Sequence, residues 1–408
     1  MKSINIRFFK NIGTKEIRVN PSKSESNRML IIQALSNQKI IINNLSSAND
    51  TQIMKNIINK NNKLIWDSKD AGTTMRFLTA FAALNYDSIT LTGTKRMQKR
   101  PIGLLVDNLN KIGAKIEYLN KKGYPPIFIN NKINQKIKNI SISGNVSSQY
   151  ISALLMIAPI LKKGIRMKIK KPFRSKPYVL MTLNLMSRFG IKYNLSGNII
   201  EIKNQKYSGG SYTIESDWSS ASYWYSIVAI NKNINKIKLK GLRKKSFQGD
   251  IKIAKIMKNF GVKTTFKKTG IIIEKKINNI KNYKIDFKDC PDLAQTVMVV
   301  ATIKGISLEI TGIESLIIKE TDRIKAMSKE LKKIGSELIY FNNKWILKKY
   351  KNINKKPIKI NTYKDHRMAM SFAPVASIKS VYFDDYNVVN KSYDNFWEDL
   401  KKVGYKIS

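Results

Sequence analysis

The sequence contains few of the residues that build metal centres and disulfides. Its 408 residues include one cysteine, Cys290, and one histidine, His366. One thiol excludes a disulfide within the chain and is typical of a reducing compartment, so we expect a cytoplasmic protein. One imidazole excludes a metal site made of several histidines.

Long apolar runs are also absent. The longest, YISALLMIAPIL from Tyr150 to Leu161, is shorter than the roughly 20 residues that a membrane-spanning helix requires. The N-terminal sequence MKSINIRFFKNIG has neither the apolar stretch nor the cleavage-like site of a secretory signal. We therefore expect no membrane association and no secretion signal.

Acidic residues are scarce, and the net charge is +47. This excess invites a nucleic-acid interpretation, but only twelve of the 75 cationic residues are arginines, and the lysines are scattered along the chain. A dedicated nucleic-acid surface would be clustered and richer in arginine, so we expect solvated lysines and no specific nucleic-acid partner. The alternative is a module that binds RNA or a membrane surface through its charge. Tight, salt-sensitive and sequence-tolerant RNA binding without turnover would favour it.

A short pattern recurs five times. LNKIGAKI begins at Leu109, MSRFGIKY at Met186, MKNFGVKT at Met257, LKKIGSEL at Leu331 and LKKVGYKI at Leu400. Each copy has the apolar spacing of an amphipathic helix end followed by glycine, which predicts a left-handed glycine cap and then a strand. A degenerate sixth copy, IINKNNKLI (57–65), has asparagine at the cap position, 61 or 62.

Helices of a second kind lie between these repeats. Six segments are apolar on nearly all sides, which predicts buried helices, and each opens with a polar cluster typical of N-caps. These segments are SNRMLIIQAL, GTTMRFLTAFAAL, SSQYISALLMIAPI, SSASYWYSIVAI, PDLAQTVMVVATI and DHRMAMSFAPVAS. With the short β-rich stretches between them, they predict an α/β protein of six similar units. Three of the buried helices precede about residue 215 and three follow it, which predicts two domains.

The polar clusters indicate a binding function. The stretch NPSKSESNRML (20–30) places Lys23 and Arg28 at the mouth of a buried helix, where packing alone would need a cap but no cation. A helix N-terminus carries unpaired N–H groups and about half a positive charge. Several such ends together predict a site for a small molecule with several negative charges.

Each of the other clusters also has an ordinary structural interpretation. Arg100, where a helix would start before Pro101, fits a surface arginine at a loop. Ser147, Ser148 and Gln149 fit a serine N-cap with the first residues of its helix.

The same holds for the acidic clusters. Glu320 and Arg323 have the spacing of an ion pair on a helix surface. Asp365 fits a capping residue beside a half-buried His366, and Asp292 fits a simple N-cap.

In their order and spacing, these segments resemble the 3-phosphoshikimate 1-carboxyvinyltransferase, or EPSP synthase, family. The resemblance covers essentially the whole chain. It is carried by SKSESNR, AGTTMRFLTA, RMQKRPIGLLVDNL with YPP, GNVSSQYISALL, SKPYVLMTLNLM, SSASY, QGDI, PD, KETDRI, DHRMAM and KSYDNFWEDL. It implies an α/β fold of two domains, each of three βαβαββ units around buried parallel helices, the inside-out α/β barrel of enolpyruvyl transferases. One domain is implied to comprise 1–20 plus 215–408 and the other 21–214, with the substrate cleft and hinge between them.

The resemblance also implies a reaction. Such enzymes transfer the enolpyruvyl group of phosphoenolpyruvate to the 5-hydroxyl of shikimate 3-phosphate, giving 5-enolpyruvylshikimate 3-phosphate and phosphate. The reaction belongs to the shikimate pathway of chorismate and aromatic amino acid biosynthesis. It is an addition–elimination through a tetrahedral intermediate, with no cofactor, no metal and no covalent enzyme adduct. We accordingly expect a monomer whose partners are these two small molecules.

Residue roles are implied in the same way. Asp292 is implied as the base near the 5-hydroxyl, Glu320 as the acid that protonates the phosphoenolpyruvate methylene, and Lys23 as an assistant at the leaving oxygen. His366 is implied to support Glu320 or the phosphate. The residues implied to bind phosphoenolpyruvate are Lys23, Gly72, Arg100, Gln149, Arg323, Arg367 and Lys391. Those implied to bind shikimate 3-phosphate are Lys23, Ser24, Arg28, Ser147, Ser148, Gln149, Ser175, Tyr178, Asp292, Ser315 and Lys319.

Three positions depart from the pattern of this family. Asp70 stands where asparagine is common, and its carboxylate would repel phosphoenolpyruvate unless it points away. Ser315 stands where a substrate-binding asparagine is often found, and Pro21 where glycine is common. These departures leave open the substrate affinity and the sensitivity to glyphosate, a phosphoenolpyruvate mimic in this family.

The nearest rival is the related enzyme that adds enolpyruvate to UDP-N-acetylglucosamine. It shares the architecture but uses a cysteine on a mobile loop, whereas Cys290 here directly precedes Pro291 and Asp292. Ser24 after Lys23 also follows the shikimate pattern. The sequence therefore favours the shikimate enzyme.

Overall fold

The computed structural model describes residues 3–9, 15–59, 64–145, 147–349 and 356–408. The helices in these ranges are α1 (Lys23–Leu35), α2 (Asn49–Asn59), α3 (Gly72–Asn85), α4 (Gly103–Ile112), α5 (Ser148–Ile157), α6 (Lys176–Arg188), α7 (Trp218–Ile230), α8 (Ile253–Lys258), α9 (Ala294–Lys304), α10 (Arg323–Lys333), α11 (His366–Phe372) and α12 (Phe396–Lys402). No helix in these ranges is long and apolar enough to cross a membrane.

The strands lie before, between and after the helices along the described chain, singly or in groups of two or three. They are β1 (Ile4–Phe8), β2 (Lys15–Arg18), β3 (Ile40–Asn43), β4 (Ile65–Asp67), β5 (Ile89–Thr92), β6 (Lys115–Tyr118), β7 (Ile127–Asn131), β8 (Asn139–Ser143), β9 (Ile165–Lys170), β10 (Asn194–Ser196), β11 (Ile199–Ile202), β12 (Gly210–Thr213), β13 (Lys236–Lys240), β14 (Val262–Lys267), β15 (Gly270–Lys275), β16 (Asn282–Asp286), β17 (Ser307–Thr311), β18 (Ser336–Phe341), β19 (Lys344–Lys349), β20 (Ile358–Ile360), β21 (Val381–Phe383) and β22 (Tyr405–Ile407).

The chain divides into two compact units. Unit 1 comprises Met1–Pro21 and Glu215–Ser408, and unit 2 comprises Ser22–Ile214. The boundaries implied by the resemblance, 1–20 plus 215–408 and 21–214, differ from this division by one residue. Unit 1 is therefore built from two separated stretches of sequence.

Three stretches of the chain have the element order βαβαββ. They run from β4 to β7, from β8 to β11 and from β16 to β19. In each of the three sheets the spatial order of the strands is first, second, fourth, third. The first two strands are parallel because a helix crosses between them, and the last two form an antiparallel pair.

The other sheets take a strand from a distant part of the chain. β2 pairs in parallel with β13, and β1 lies between β21 and β22. In unit 2, β12 pairs in parallel with β3 in a two-stranded sheet. The N-terminal segment of the chain thus completes two sheets of unit 1.

Each unit has three apolar helices at its centre. Helices α1, α3 and α5 pack against one another in unit 2, and α7, α9 and α11 do so in unit 1. In α7 every residue except Ser219 is buried. Strands such as β9 alternate buried and exposed residues, so one face of the sheet covers the helices and the other faces water. The predictions of an α/β fold and of buried helices are confirmed.

The repeated glycines have the predicted backbone conformation. Their φ angles are positive in all five copies, at Gly113, Gly190, Gly261, Gly335 and Gly404. Each glycine follows a helix, and a strand begins within a few residues of it. The asparagine cap of the sixth copy lies outside the described residues.

The prediction of capping side chains is wrong for two of the six buried helices. Side chains of Ser22, Ser147, Asp217 and Asp365 cap α1, α5, α7 and α11. At the N-cap positions of α3 and α9 stand Ala71 and Leu293, which provide no such bond. A 3₁₀ turn, Pro291–Leu293, leads directly into α9, and its Asp292 makes contacts elsewhere.

Candidate active site

Arg323, the first residue of α10, is the centre of an acidic cluster in unit 1. Its side chain is only 2% exposed. Nε lies 2.8 Å from Asp365 Oδ2, Nη1 3.1 Å from Asp292 Oδ1, and Nη2 2.8 Å from Glu320 Oε2. Burial would lower the pKa of Arg323, but these carboxylates outweigh it and raise the pKa. The ion pair between Glu320 and Arg323 is therefore part of a buried network and not a surface pair.

Asp292 is held by three cations. Besides Arg323, Arg367 Nη2 lies 2.9 Å from its Oδ2, and Lys319 Nζ lies 3.9 Å from its Oδ1. Burial would raise the pKa of Asp292, but the charges of Arg367, Lys319 and Arg323 leave it well below its ordinary value. Asp292 is thus ionised at neutral pH, and its charge is balanced.

Glu320 lies between two cations. It accepts the bond from Arg323, and Lys391 Nζ lies 3.7 Å from its Oε1. Lys391 ends a 3₁₀ turn, Asn387–Lys391, and the following Ser392 carbonyl accepts a 2.6 Å bond from Asn20 Nδ2. The loop that carries Lys391 is therefore tied to the N-terminal segment of unit 1.

Helix α11 presents three polar residues at its start. Asp365 caps the helix by accepting a 2.9 Å bond from the backbone N of Arg367, while its carboxylate also binds Arg323. Arg367 Nη1 donates to Tyr223 Oη at 3.2 Å. His366 is buried, with Nδ1 3.7 Å from Asp365 Oδ1. The interpretation of Asp365 as a cap is correct, and the residue also orients Arg323.

Asp250 is a further acid of this cluster that the sequence patterns did not assign a role. It lies in a 3₁₀ turn, Gly249–Lys252, is buried, and accepts a short bond from Ser219 Oγ. Ser219 Oγ also accepts a 3.4 Å bond from Arg367 Nη2. Burial, and then the charge of Asp292, raise the pKa of Asp250 to about 6.

In unit 2, Lys23 at the start of α1 pairs with an acid on α2. Its Nζ lies 3.0 Å from Asp50 Oδ2, and the two side chains are largely buried. The backbone O of Asp50 accepts a 2.8 Å bond from Thr74 Oγ1 on α3. The starts of three helices are thereby joined around the Lys23 ammonium.

Arg100 lies against the N-terminus of α3. A Cβ built on Gly72 would lie 2.5 Å from Arg100 Nη1, so a side chain there would displace the guanidinium. Arg100 Nε is buried and has no hydrogen bond to a described residue. Arg76 donates to the carbonyls of Gly72 and Pro101 at 3.1 and 2.7 Å, which fixes both sides of this contact. The helix expected at Pro101 starts at Gly103.

Helix α5 starts beside α3. Gln149 Nε2 donates to Thr73 Oγ1 at 3.0 Å, and Ser147 Oγ caps the helix by accepting from Gln149 N at 3.3 Å. Ser148 is the first residue of the helix and is buried. Two serine hydroxyls and the first N–H groups of α5 therefore occur together.

Arg28 is buried within unit 2. Its Nε donates to Thr182 Oγ1 at 2.7 Å, and Nη1 donates to the carbonyl of Ser24 at 2.8 Å. Nη2 donates to the carbonyl of Tyr178 and to Ser152 Oγ. Burial lowers the pKa of Arg28 to about 10, so the residue stays charged at neutral pH. Arg28 fixes α1 against α5 and α6.

The local structure at three further positions, Ser175, Asp70 and Ser315, also bears on the predicted site. Ser175, before α6, has a left-handed backbone with φ 54°. Asp70 accepts a short bond from Thr94 Oγ1, which gives its carboxylate a local partner. Ser315 lies in a 3₁₀ turn, Glu314–Ile318, directly before Lys319.

The structure therefore links many of the predicted residues within each unit. In unit 1 direct contacts connect Lys319, Glu320, Arg323, Asp292, Arg367 and Lys391. In unit 2 some predicted residues contact each other, since Arg100 lies against Gly72 and Arg28 donates to the carbonyls of Ser24 and Tyr178. Others pair with residues that sequence reasoning missed. The missed partners are Asp50, Thr73, Arg76, Ser152 and Thr182, and in unit 1 Asp250. Five of these six residues lie within segments that carried the resemblance, and Asp50 lies outside them.

Chemically, the unit 1 cluster combines four acids, Asp250, Asp292, Glu320 and Asp365, with the four cations Lys319, Arg323, Arg367 and Lys391. Fixed cations in buried positions can bind anionic groups, and an acid held among them can accept or donate a proton. No group of histidine, cysteine, aspartate and glutamate in the described part of the chain is arranged to hold a metal ion.

Comparisons with known proteins agree on one family. The sequence model of the EPSP synthase (3-phosphoshikimate 1-carboxyvinyltransferase) family matches residues 56–400. A 3-phosphoshikimate 1-carboxyvinyltransferase of Bacteroides fragilis (strain YCH46) is 43% identical over 395 residues, which cover 96% of this chain and 95% of the relative. The protein of the same name from Buchnera aphidicola subsp. Cinara cedri is 38% identical over 95% of this chain and 94% of its own.

A solved structure has the same fold. EPSP synthase from Acinetobacter baumannii superposes with a TM-score of 0.80 over 100% of both chains, at 20% sequence identity. The two-domain enolpyruvyl transferase fold is thereby confirmed. From the family match and the identity to curated relatives over nearly the full length, the chain belongs to the EPSP synthase (3-phosphoshikimate 1-carboxyvinyltransferase) family.

Proposed function

We propose that this protein transfers the enolpyruvyl group of phosphoenolpyruvate to the 5-hydroxyl of shikimate 3-phosphate. The products are 5-enolpyruvylshikimate 3-phosphate and phosphate, formed by addition and elimination through a tetrahedral intermediate. The observation that carries the proposal is the buried contact of Arg323 with both Asp292 and Glu320 in a chain of this family. One cation thus holds the two acids that the reaction needs.

Phosphoenolpyruvate, with a phosphate and a carboxylate, is bound by cations of both units. In unit 1 these are Arg323, Arg367 and Lys391, each of which pairs with a carboxylate. In unit 2, Arg100 lies against Gly72 at a helix start without a side-chain cap, where N–H groups also favour an anion. Lys23 and Gln149 complete this set.

Shikimate 3-phosphate is bound by the serines and by the buried arginine of unit 2. Ser147, Ser148 and Ser175 bind its phosphate, supported by the N–H groups at the start of α5. Ser24 and Arg28 bind its carboxylate, and Lys23, Gln149 and Tyr178 contact its ring or phosphate. Asp292, Ser315 and Lys319 contact it from unit 1. The proposal requires residues of both units to act on the same two substrates.

Asp292 acts as the base at the 5-hydroxyl. Burial would raise its pKa, but Arg367 above all, with Lys319 and Arg323, holds it well below the ordinary range. Anionic substrates that bind Arg367 and Lys319 compete for these cations, so Asp292 becomes more basic when the substrates are present. Glu320 protonates the methylene carbon of phosphoenolpyruvate, Lys23 assists at the leaving oxygen, and His366 supports the site.

The proposal also includes the monomeric state, which the resemblance implies. It further includes a cytoplasmic location, expected from the single cysteine, and the absence of specific nucleic-acid and membrane partners, expected from the scattered lysines and the short apolar runs. The rival activity towards UDP-N-acetylglucosamine is disfavoured because Cys290 is buried, and burial raises the pKa of its thiol far above neutrality.

The test is an assay of phosphate release with both substrates and with each omitted in turn. Release only when phosphoenolpyruvate and shikimate 3-phosphate are both present supports the proposal. Release with UDP-N-acetylglucosamine in place of shikimate 3-phosphate, or no release with the full pair, would overturn it.

A further inference from the structure

The segment that leads from β20 into α11 has an unusual backbone. Tyr363 and Lys364 are consecutive and both left-handed, with φ of 53° and 55°. Residues other than glycine are rarely found in this region, and they keep it only where their surroundings hold them there. The next residues are Asp365, His366 and Arg367, so this turn decides where the start of α11 points.

Helix α10 holds this segment at two points. Its first residue, Arg323, binds Asp365 through Nε at 2.8 Å and Nη2 at 3.3 Å. Glu330 lies seven residues further on, which is close to two helical turns and hence the same face. Glu330 Oε1 accepts a 2.7 Å bond from Tyr363 Oη, and Oε2 accepts a 3.2 Å bond from the backbone N of Asn361.

The Glu330 carboxylate is fully buried, which a charged group tolerates only when it is paired. Lys333 Nζ, 2.5 Å from Oε2, balances its charge. The bond from Tyr363 is therefore an additional contact to a charge that Lys333 already pairs. What it adds is a constraint on the left-handed turn.

From this geometry we propose that Glu330 and Tyr363 are a positioning pair that sets the place of Arg367. The inference rests on the proposed function, in which Arg367 binds phosphoenolpyruvate. Neither residue touches the reacting atoms. Glu330 and Tyr363 hold the turn, the turn places Asp365, and Asp365 in turn binds both Arg323 and the backbone N of Arg367.

The test is Tyr363→Phe, which removes one hydroxyl and keeps the ring. A hydrogen bond to a charged acceptor is lost, so KM for phosphoenolpyruvate is expected to rise about fivefold, while KM for shikimate 3-phosphate changes little. Glu330→Gln should raise the same KM in the same direction. In the double variant the combined rise in KM should be smaller than the product of the two single effects, because the contact between Glu330 and Tyr363 can be lost only once.

A matched control is Tyr340→Phe, which removes an exposed tyrosine hydroxyl, bonded to Asn343 Oδ1, from the same unit. It should leave both KM values unchanged. A merely structural role of Tyr363 would lower the unfolding temperature without a difference between the two substrates. If the wild type is active and Tyr363→Phe changes both KM values equally, or changes neither, the inference is overturned and the proposed function stands. An inactive wild type would overturn the proposed function and this inference with it.

Discussion

The charge of Asp292 is decided by its neighbours more than by its burial. Three cations contact it, and their attraction exceeds the desolvation that would otherwise keep it protonated. Composition and spacing could not settle this balance, since Arg367 and Lys319 come to Asp292 from separate parts of the chain.

Replacement of this carboxylate should separate binding from turnover. Asp292→Asn keeps the shape and removes the base, so kcat should fall by roughly 10²- to 10⁴-fold while substrate binding is retained. Phosphate release gives kcat, and calorimetry gives the affinity for shikimate 3-phosphate. Asp289→Asn, at a partly exposed carboxylate that pairs with Lys252, is the control and should retain activity. A near-normal rate in Asp292→Asn would remove its assignment as the base.

Asp250 should make stability depend on pH in the opposite sense to Asp292. Its pKa is raised to about 6, so the folded state binds an extra proton between about pH 4 and pH 6. The stability that this proton provides is complete below the unfolded pKa and is lost as pH rises through 6. The asparagine side chain of the Asp250→Asn variant cannot ionise. The free energy of unfolding of this variant relative to the wild type should therefore rise by on the order of 2 kcal/mol from pH 4.5 to pH 7.5.

Denaturant unfolding at these two pH values measures this difference. The control is Asp286→Asn, at an exposed carboxylate of the same unit. Its free energy of unfolding should differ from that of the wild type by the same amount at both pH values. A difference for Asp250→Asn that does not change with pH would contradict the prediction.

At the scale of helices and strands, much was predictable from local patterns. The glycine caps and the buried helices follow from apolar spacing and from the conformational freedom of glycine, which depend on neighbours in sequence. The partners of site residues were not predictable. Lys23 pairs with Asp50, and Arg28 with Thr182, only because packed helices bring distant residues together.

The caps show the same limit. Leu293 is the N-cap of α9 because the 3₁₀ turn Pro291–Leu293 places Asp292 before the helix. In α3 the helix begins at Gly72, so Thr73 and Thr74 lie within its first turn and Ala71 is the N-cap. Local composition predicts that a helix starts in this stretch, but not which residue is its N-cap.

The contact between Arg100 and the start of α3 can be tested by adding one methyl group at Gly72. In Gly72→Ala the new Cβ would lie 2.5 Å from Arg100 Nη1, so the guanidinium must move. KM for phosphoenolpyruvate should rise about tenfold, whereas KM for shikimate 3-phosphate should change little. Steady-state kinetics with each substrate varied in turn measure both.

Repeating the Gly72→Ala substitution in an Arg100→Ala variant shows whether its effect on KM comes from the collision with Arg100. In Arg100→Ala the colliding group is absent, so adding Gly72→Ala should have little further effect on KM. Full additivity of the two substitutions would show that Gly72 acts independently of Arg100.

For the whole molecule, unit 1 depends on its N-terminal segment. Strands β1 and β2 supply the buried side chains Ile4, Ile6, Ile17 and, just after β2, Val19. At about 2 kcal/mol for each buried aliphatic side chain, their loss approaches 8 kcal/mol. This is comparable with the total stability of a typical domain, about 5–15 kcal/mol.

A chain of residues 215–408 alone should therefore lack a cooperative unfolding transition. The same chain with a peptide of residues 1–21 added should regain one, because the peptide restores a strand between β21 and β22 and another beside β13. Thermal unfolding followed by circular dichroism tests both. Cooperative unfolding of residues 215–408 without the peptide would be the contrary result.

The two places where the chain passes between units lie side by side. Pro21 and Ser216 form an antiparallel bridge, Asp217 N donates to the carbonyl of Asn20, and Ser216 Oγ donates to that of Val19. Paired residues in such a bridge are about 5 Å apart, which a few residues can span. Unit 2 is thus an insertion. If Ser22–Ile214 were removed, a short linker would join the two chain ends that remain. That would leave the three carboxylates around Arg323 in a polypeptide of roughly half the size.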